Sequence, residues 1–83
     1  MLSTRKLPED WYQGTIPQNV HIDESCYVET TFSFSRYRSQ EPVGVKLGKG
    51  ASVYQGTMFD VGQKGRVSVG DYALLNGVWI MCD

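Results

Sequence analysis

The sequence predicts an all-β fold in which the chain winds as a parallel coil with three short faces, repeated about three times. Three observations predict it. Apolar residues recur every six positions, the blocks they form align with one another, and both interruptions fall at the same point of the repeat.

The period is the first of these. Ile16, Ile22, Val28 and Phe34 stand six residues apart, and the spacing resumes at Leu47, Val53 and Phe59 and again at Val69, Leu75 and Met81. Neither a helical period nor strict alternation fits these positions. The blocks also match internally. Ile22-Asp23-Glu24-Ser25-Cys26-Tyr27-Val28 lies over Leu47-Gly48-Lys49-Gly50-Ala51-Ser52-Val53 and over Val69-Gly70-Asp71-Tyr72-Ala73-Leu74-Leu75. An aliphatic residue comes first, Gly or Asp second, and a small residue (Cys26, Ala51, Ala73) fifth. Self-similarity of this kind marks a stacked repeat.

Six residues suffice for a short strand and a corner, and three such units close a triangular coil of eighteen. First positions point inward, with Phe34, Phe59 and Met81 filling the third face. Fifth positions point inward where room is limited. Gly48 and Gly70 are expected at sharp turns, where glycine costs least. Stacking successive coils about 4.8 Å apart satisfies the backbone groups of each.

The interruptions follow the third face. Leu47 trails Ile22 by 25 residues and Val69 trails Leu47 by 22, so loops fall around residues 36–42 and 62–66. Both leave from one corner, where they spare the inner stack. An antiparallel sandwich would account for the Thr, Val and Tyr content and the glycine-rich turns. It leaves the six-residue spacing unexplained.

Residues 1–15, with Pro8, Trp11 and Tyr12, precede the repeat and are expected to cap it, Trp11 and Tyr12 in cap or core packing; residues 16–83 form the coil. Eight basic and nine acidic residues give a net charge of −1. That balance offers no basic face for nucleic acid or an anionic membrane. Met1 to Gly14 carries Arg5, Lys6, Glu9 and Asp10 without an apolar run, which fits neither a signal peptide nor a span, and the expected compartment is the cytoplasm. Cys26 and Cys82 form no recognisable disulfide or metal motif, and one histidine with two distant thiols is too few for a zinc site.

Val69-Gly70-Asp71-Tyr72-Ala73-Leu74-Leu75, with Leu47-Gly48-Lys49-Gly50-Ala51 repeating it, resembles the signature of the hexapeptide-repeat (isoleucine-patch) acyltransferase superfamily. The resemblance runs from about Ile16 to Met81. It implies a single-stranded left-handed parallel β-helix of about three coils, with the loops at one corner. Enzymes of that superfamily usually form trimers, bind acetyl-CoA between neighbouring prisms and use a histidine as general base. This chain has fewer coils than they do.

On that resemblance His21 is the one candidate base, and its register turns it outward from a flat face, as it would a plain solvated histidine. Arg36 and Arg38, either side of Tyr37, are candidate contacts to a CoA phosphate or simply loop charges. A carbonic anhydrase on the same coil would need more histidines than one per chain. Asp23, Glu24, Glu29, Asp60 and Asp71 are read as solvated charges, and Cys26 as inert packing. Two functions stay open: a minimal CoA-dependent O- or N-acyltransferase, and a non-catalytic module for assembly or partner binding. A homo-oligomer is expected in either case. The trimer is the family's form. An end-on dimer is the alternative: a last coil with apolar Leu75, Ile80 and Met81 and unpaired backbone groups implies either a longer protein or pairing with another chain.

Overall fold

The computed structural model describes Leu7 and residues 9–83; the expectations for Arg5, Lys6 and Pro8 lie outside the described residues. Short strands form where the six-residue spacing puts them. The first pass of the chain contributes β1 (Val20–Ile22) and β2 (Tyr27–Val28), followed by a 3-10 turn at Thr31–Phe34. The second contributes β3 (Val45–Leu47), β4 (Ser52–Val53) and β5 (Met58–Val61), and the third β6 (Val67–Val69), β7 (Leu74–Leu75) and β8 (Trp79–Cys82).

Each of these strand pairs is parallel. The chain visits three sheets in rotation, ordered β1-β3-β6, β2-β4-β7 and β5-β8. Register follows the block alignment on two faces: Ile22 pairs with Leu47 and Leu47 with Val69, while Val28 pairs with Val53 and Val53 with Leu75. The fifth positions Cys26, Ala51 and Ala73 all pack on the core, and Ala51 is fully buried. Both loops leave the third face. The first lies against the second, with Arg38 N–H donating to Val61 O (2.8 Å) and Gln40 N–H to Gln63 O (2.9 Å).

The third face departs from expectation twice. In the first pass it is a 3-10 turn because Thr30, extended at its start, accepts from the Phe32 amide through its hydroxyl at 3.1 Å. Such local side-chain bonding competes with a strand ladder. In the third pass the inward residue is Ile80, which pairs with Phe59; Met81 pairs with Asp60 and is 76% exposed. The cause is the corner before β8, one residue shorter than the corner before β5. Gly56 and Gly77, both at positive φ (94° and 75°), stack there 21 residues apart.

Gly48 and Gly70 are not at left-handed turns; positive φ falls at Gly50, Gly56 and Gly77, and at Gln13 and Tyr72. Gly48 is needed for close approach. A Cβ there would sit 2.8 Å from the Asp71 amide nitrogen and 2.9 Å from the Gly70 carbonyl carbon, whereas one on Gly70 would meet nothing within 4 Å.

Burial is greatest in the middle pass. Leu47, Ala51, Val53 and Phe59 are sealed above and below, while Ala73, Leu75 and Ile80 of the last pass, like Ile22, Cys26 and Val28 of the first, are only partly covered. At the opposite end the segment before the repeat lies on the first pass. Leu7 packs on the core and Ile16 is buried in it. Trp11 and Tyr12, expected in cap or core packing, lie outside the core and form an exposed aromatic cluster with Phe32 of the first pass, at centroid separations of 5.1–5.8 Å.

Candidate functional site

β1 turns its end residues inward and its middle residue out, which exposes His21. In-register pairing sets Lys46 and Ser68 beside it in one rung across the first sheet. His21 lines a broad, open depression with Gln18, Asp23, Lys46, Lys49 and Asp71 around it. Asp23 is held below the ordinary carboxylate range, first by the Ser25 hydroxyl and amide, which outweigh desolvation, and then by the charge of Lys49. The lysines and aspartates offset one another. Among the described residues no hydrogen bond orients the His21 ring, and no carboxylate is paired with it as a catalytic base would need.

Arg36 and Arg38 lie on the third face and converge on Asp60 of β5. Arg36 Nε reaches Asp60 Oδ2 at 3.3 Å and Arg38 Nη2 reaches Oδ1 at 3.0 Å. Trp79 Nε1 donates to Oδ2 at 3.4 Å, and the Arg36 guanidinium sits over the Trp79 ring, 5.9 Å from its centroid. Desolvation raises the Asp60 pKa, but the donors from Arg38, Trp79 and Arg36 prevail and hold it below its ordinary value. Asp60 is therefore the anchor of the cluster, not a free surface charge. It leaves the two arginines a net charge of one between them, and it occupies their inner edges.

These positions do not converge within one chain. The depression that holds His21 includes neither arginine. A CoA diphosphate would meet the arginines with a carboxylate already between them, so their fit to that ligand is poor as they stand. Cys26 is a free thiol whose Sγ donates to Gly48 O at 3.0 Å, and Cys82 is likewise free. No cluster of three or more potential metal ligands occurs among the described residues, and no helix there is long and apolar enough to cross a membrane.

Asp10 was expected on a polar leader and is instead 4% exposed. It accepts from the Thr30 hydroxyl (2.5 Å), the Tyr12 amide (3.0 Å), the Thr31 amide (3.1 Å) and the Thr31 hydroxyl. Burial raises its pKa, yet those donors prevail and bring it to about 2. Nothing local in sequence signals this, because the threonines lie about twenty residues away. Lys46 and Lys49 were equally unmarked, although the 25-residue step from His21 to Lys46 is the step from Ile22 to Leu47 and places them side by side. The exposed apolar residues Tyr72, Leu74, Val78, Trp79 and Met81 all lie on the last pass.

No family model, curated protein or solved structure matches this chain.

Proposed function

We propose that the chain is a hexapeptide-repeat left-handed β-helix that serves as a non-catalytic assembly module, joining another chain through its last pass. One observation carries this reading: the middle pass is sealed, whereas the last leaves its core residues half-covered and its outer apolar side chains exposed. Apolar surface concentrated at a free sheet edge marks an interaction surface. A cytoplasmic setting belongs to the same reading and accords with two free thiols. The test is solution mass over a concentration series, by light scattering on a sizing column. An oligomer is expected, and a monomer throughout would overturn the proposal.

A second reading is CoA-dependent acyl transfer, with His21 as base and Arg36 and Arg38 as phosphate contacts. What favours it is the exposure of His21 in a depression beside Lys46 and Lys49. It requires side-by-side association, as in a trimer, to bring the first face of one chain to the third face of another. Acetyl-CoA should then raise the melting temperature by mass action. No protection at millimolar acetyl-CoA would exclude it.

A further inference from the structure

The backbone of the last pass presents a pattern that matches itself. Two bonds fix how β8 faces: Met58 N–H donates to Val78 O at 2.8 Å, and Gly62 N–H to Cys82 O at 2.7 Å. Residues of a parallel ladder face one side and the other alternately. Ile80 and Cys82 thus turn their amide groups to β5, and Trp79 and Met81 turn theirs to the free edge. On β6, Val67 N–H donates to Gly44 O (2.8 Å) and Val69 O accepts from Gly48 (2.9 Å), which leaves Ser68 facing the edge. On β7, Ala73 and Leu75 accept from Ser52 and Tyr54 (2.8 Å each), which leaves Leu74.

By residue order these edge positions fall symmetrically, Trp79 and Met81 about Ile80, and Ser68 and Leu74 about Asp71. A two-fold axis through Ile80, midway along β8, and through the opposite corner at Asp71 would exchange Trp79 with Met81 and Ser68 with Leu74. An antiparallel ladder needs such pairs, because edge-facing residues must lie opposite one another to exchange both N–H···O bonds. An axis through β6 or β7 would instead set β8, with two edge-facing residues, against a strand with one.

We propose that the partner is a second copy of this chain, docked end to end about this axis, with β8 antiparallel to its mate and each β6 on the other copy's β7. The proposal rests on the assembly reading above and adds the partner, the symmetry and the register. Trp79 and Met81, 57% and 76% exposed, become cross-strand neighbours, a favourable sulfur–aromatic pairing. Val69, Ala73, Leu75 and Ile80 of both copies close a shared core. Asp71, close to the axis, does not oppose its copy, because its carboxylate is drawn back to the Lys49 amide of the previous pass at 2.9 Å. Head-to-tail stacking fails on the third face. There the first pass offers a 3-10 turn in place of a strand, held by Asp10 and by the Gly14 amide on Thr31 Oγ1 (2.9 Å).

Disulfide trapping tests the register in a Cys26→Ala, Cys82→Ala background. Opposed residues at a non-hydrogen-bonded antiparallel site have Cα atoms about 4.5 Å apart, within disulfide range. Ile80→Cys should therefore form a covalent dimer on mild oxidation. Ser68→Cys should not link to itself but should link to Leu74→Cys when the two are mixed; both positions point outward, so this pair tests the register even if Ile80→Cys folds poorly. Self-linking of Ser68→Cys without the mixed pair would overturn the proposal in favour of an axis through β6. Absence of both the Ile80 and the mixed links in a protein that light scattering shows to be oligomeric would overturn the register and leave the assembly reading standing. A monomer by light scattering would overturn both.

Discussion

Phe34 and Phe59 lie face to face, ring centroids 5.3 Å apart and planes 9° from parallel. The 3-10 turn of the first pass and the strand below it thus deliver their aromatic rings to one inner column, continued by Ile80 rather than Met81. Phe59 sits mid-column with no exposed surface. Phe59→Ala should cost about 3–5 kcal/mol in urea unfolding. A loss below about 1 kcal/mol would remove this column from the core.

Two glycines at equivalent repeat positions should behave differently. Gly48→Ala drives a methyl against the Asp71 amide and should destabilise by about 1–3 kcal/mol. Gly70→Ala meets nothing and has ordinary φ, so it should be neutral or slightly stabilising, within about 1 kcal/mol. Equal effects in thermal melts would mean that the passes do not stack in this register.

Asp10 ties the leading segment to the 3-10 turn as an ionised group. Its pKa is about 2 in the fold against an ordinary 3.8. The carboxylate's contribution is therefore complete above pH 3.8 and is lost as pH falls through about 2. Asp10→Asn should lower stability at neutral pH and flatten the acid side of the stability–pH curve. An unchanged acid limb would assign that limb to other carboxylates.

Met81→Asp separates folding from assembly. Its side chain points outward, so the isolated chain should keep its unfolding free energy within about 0.5 kcal/mol. The charge would face Trp79 of the second copy, and the solution mass should fall to that of one chain. A mass identical to the parent's would show that β8 is not at the contact.

Two faces of the coil were legible because their spacing is regular: Ile22, Leu47 and Val69 align, as do Val28, Val53 and Leu75, and the pairing follows them. The third face was misjudged at its end because six-residue counting assumes equal corners. The sequence does hold the contrary sign. Gly56 and Gly77 stack 21 residues apart, and aligning them would have put Ile80 opposite Phe59. At the candidate sites, the outward placement of His21 could be read from register alone. The capture of Arg36 and Arg38 by Asp60 could not, since it depends on where a loop folds back. Of the three apolar residues that the sequence places on the last coil, Leu75 and Ile80 pack on the core and Met81 turns outward.

Every ladder here joins strands 21 to 25 residues apart in sequence, and no two consecutive strands pair with each other. During synthesis β1 meets its ladder partner only when Val45 to Leu47 has emerged, and β2 only when Ser52 and Val53 have. Such non-local closure is slow, because loop entropy must be lost before the first cross-strand bond forms. Once β3, β4 and β5 are laid down, β6, β7 and β8 each find a finished template. The order of synthesis is thus also the order in which these sheets can grow.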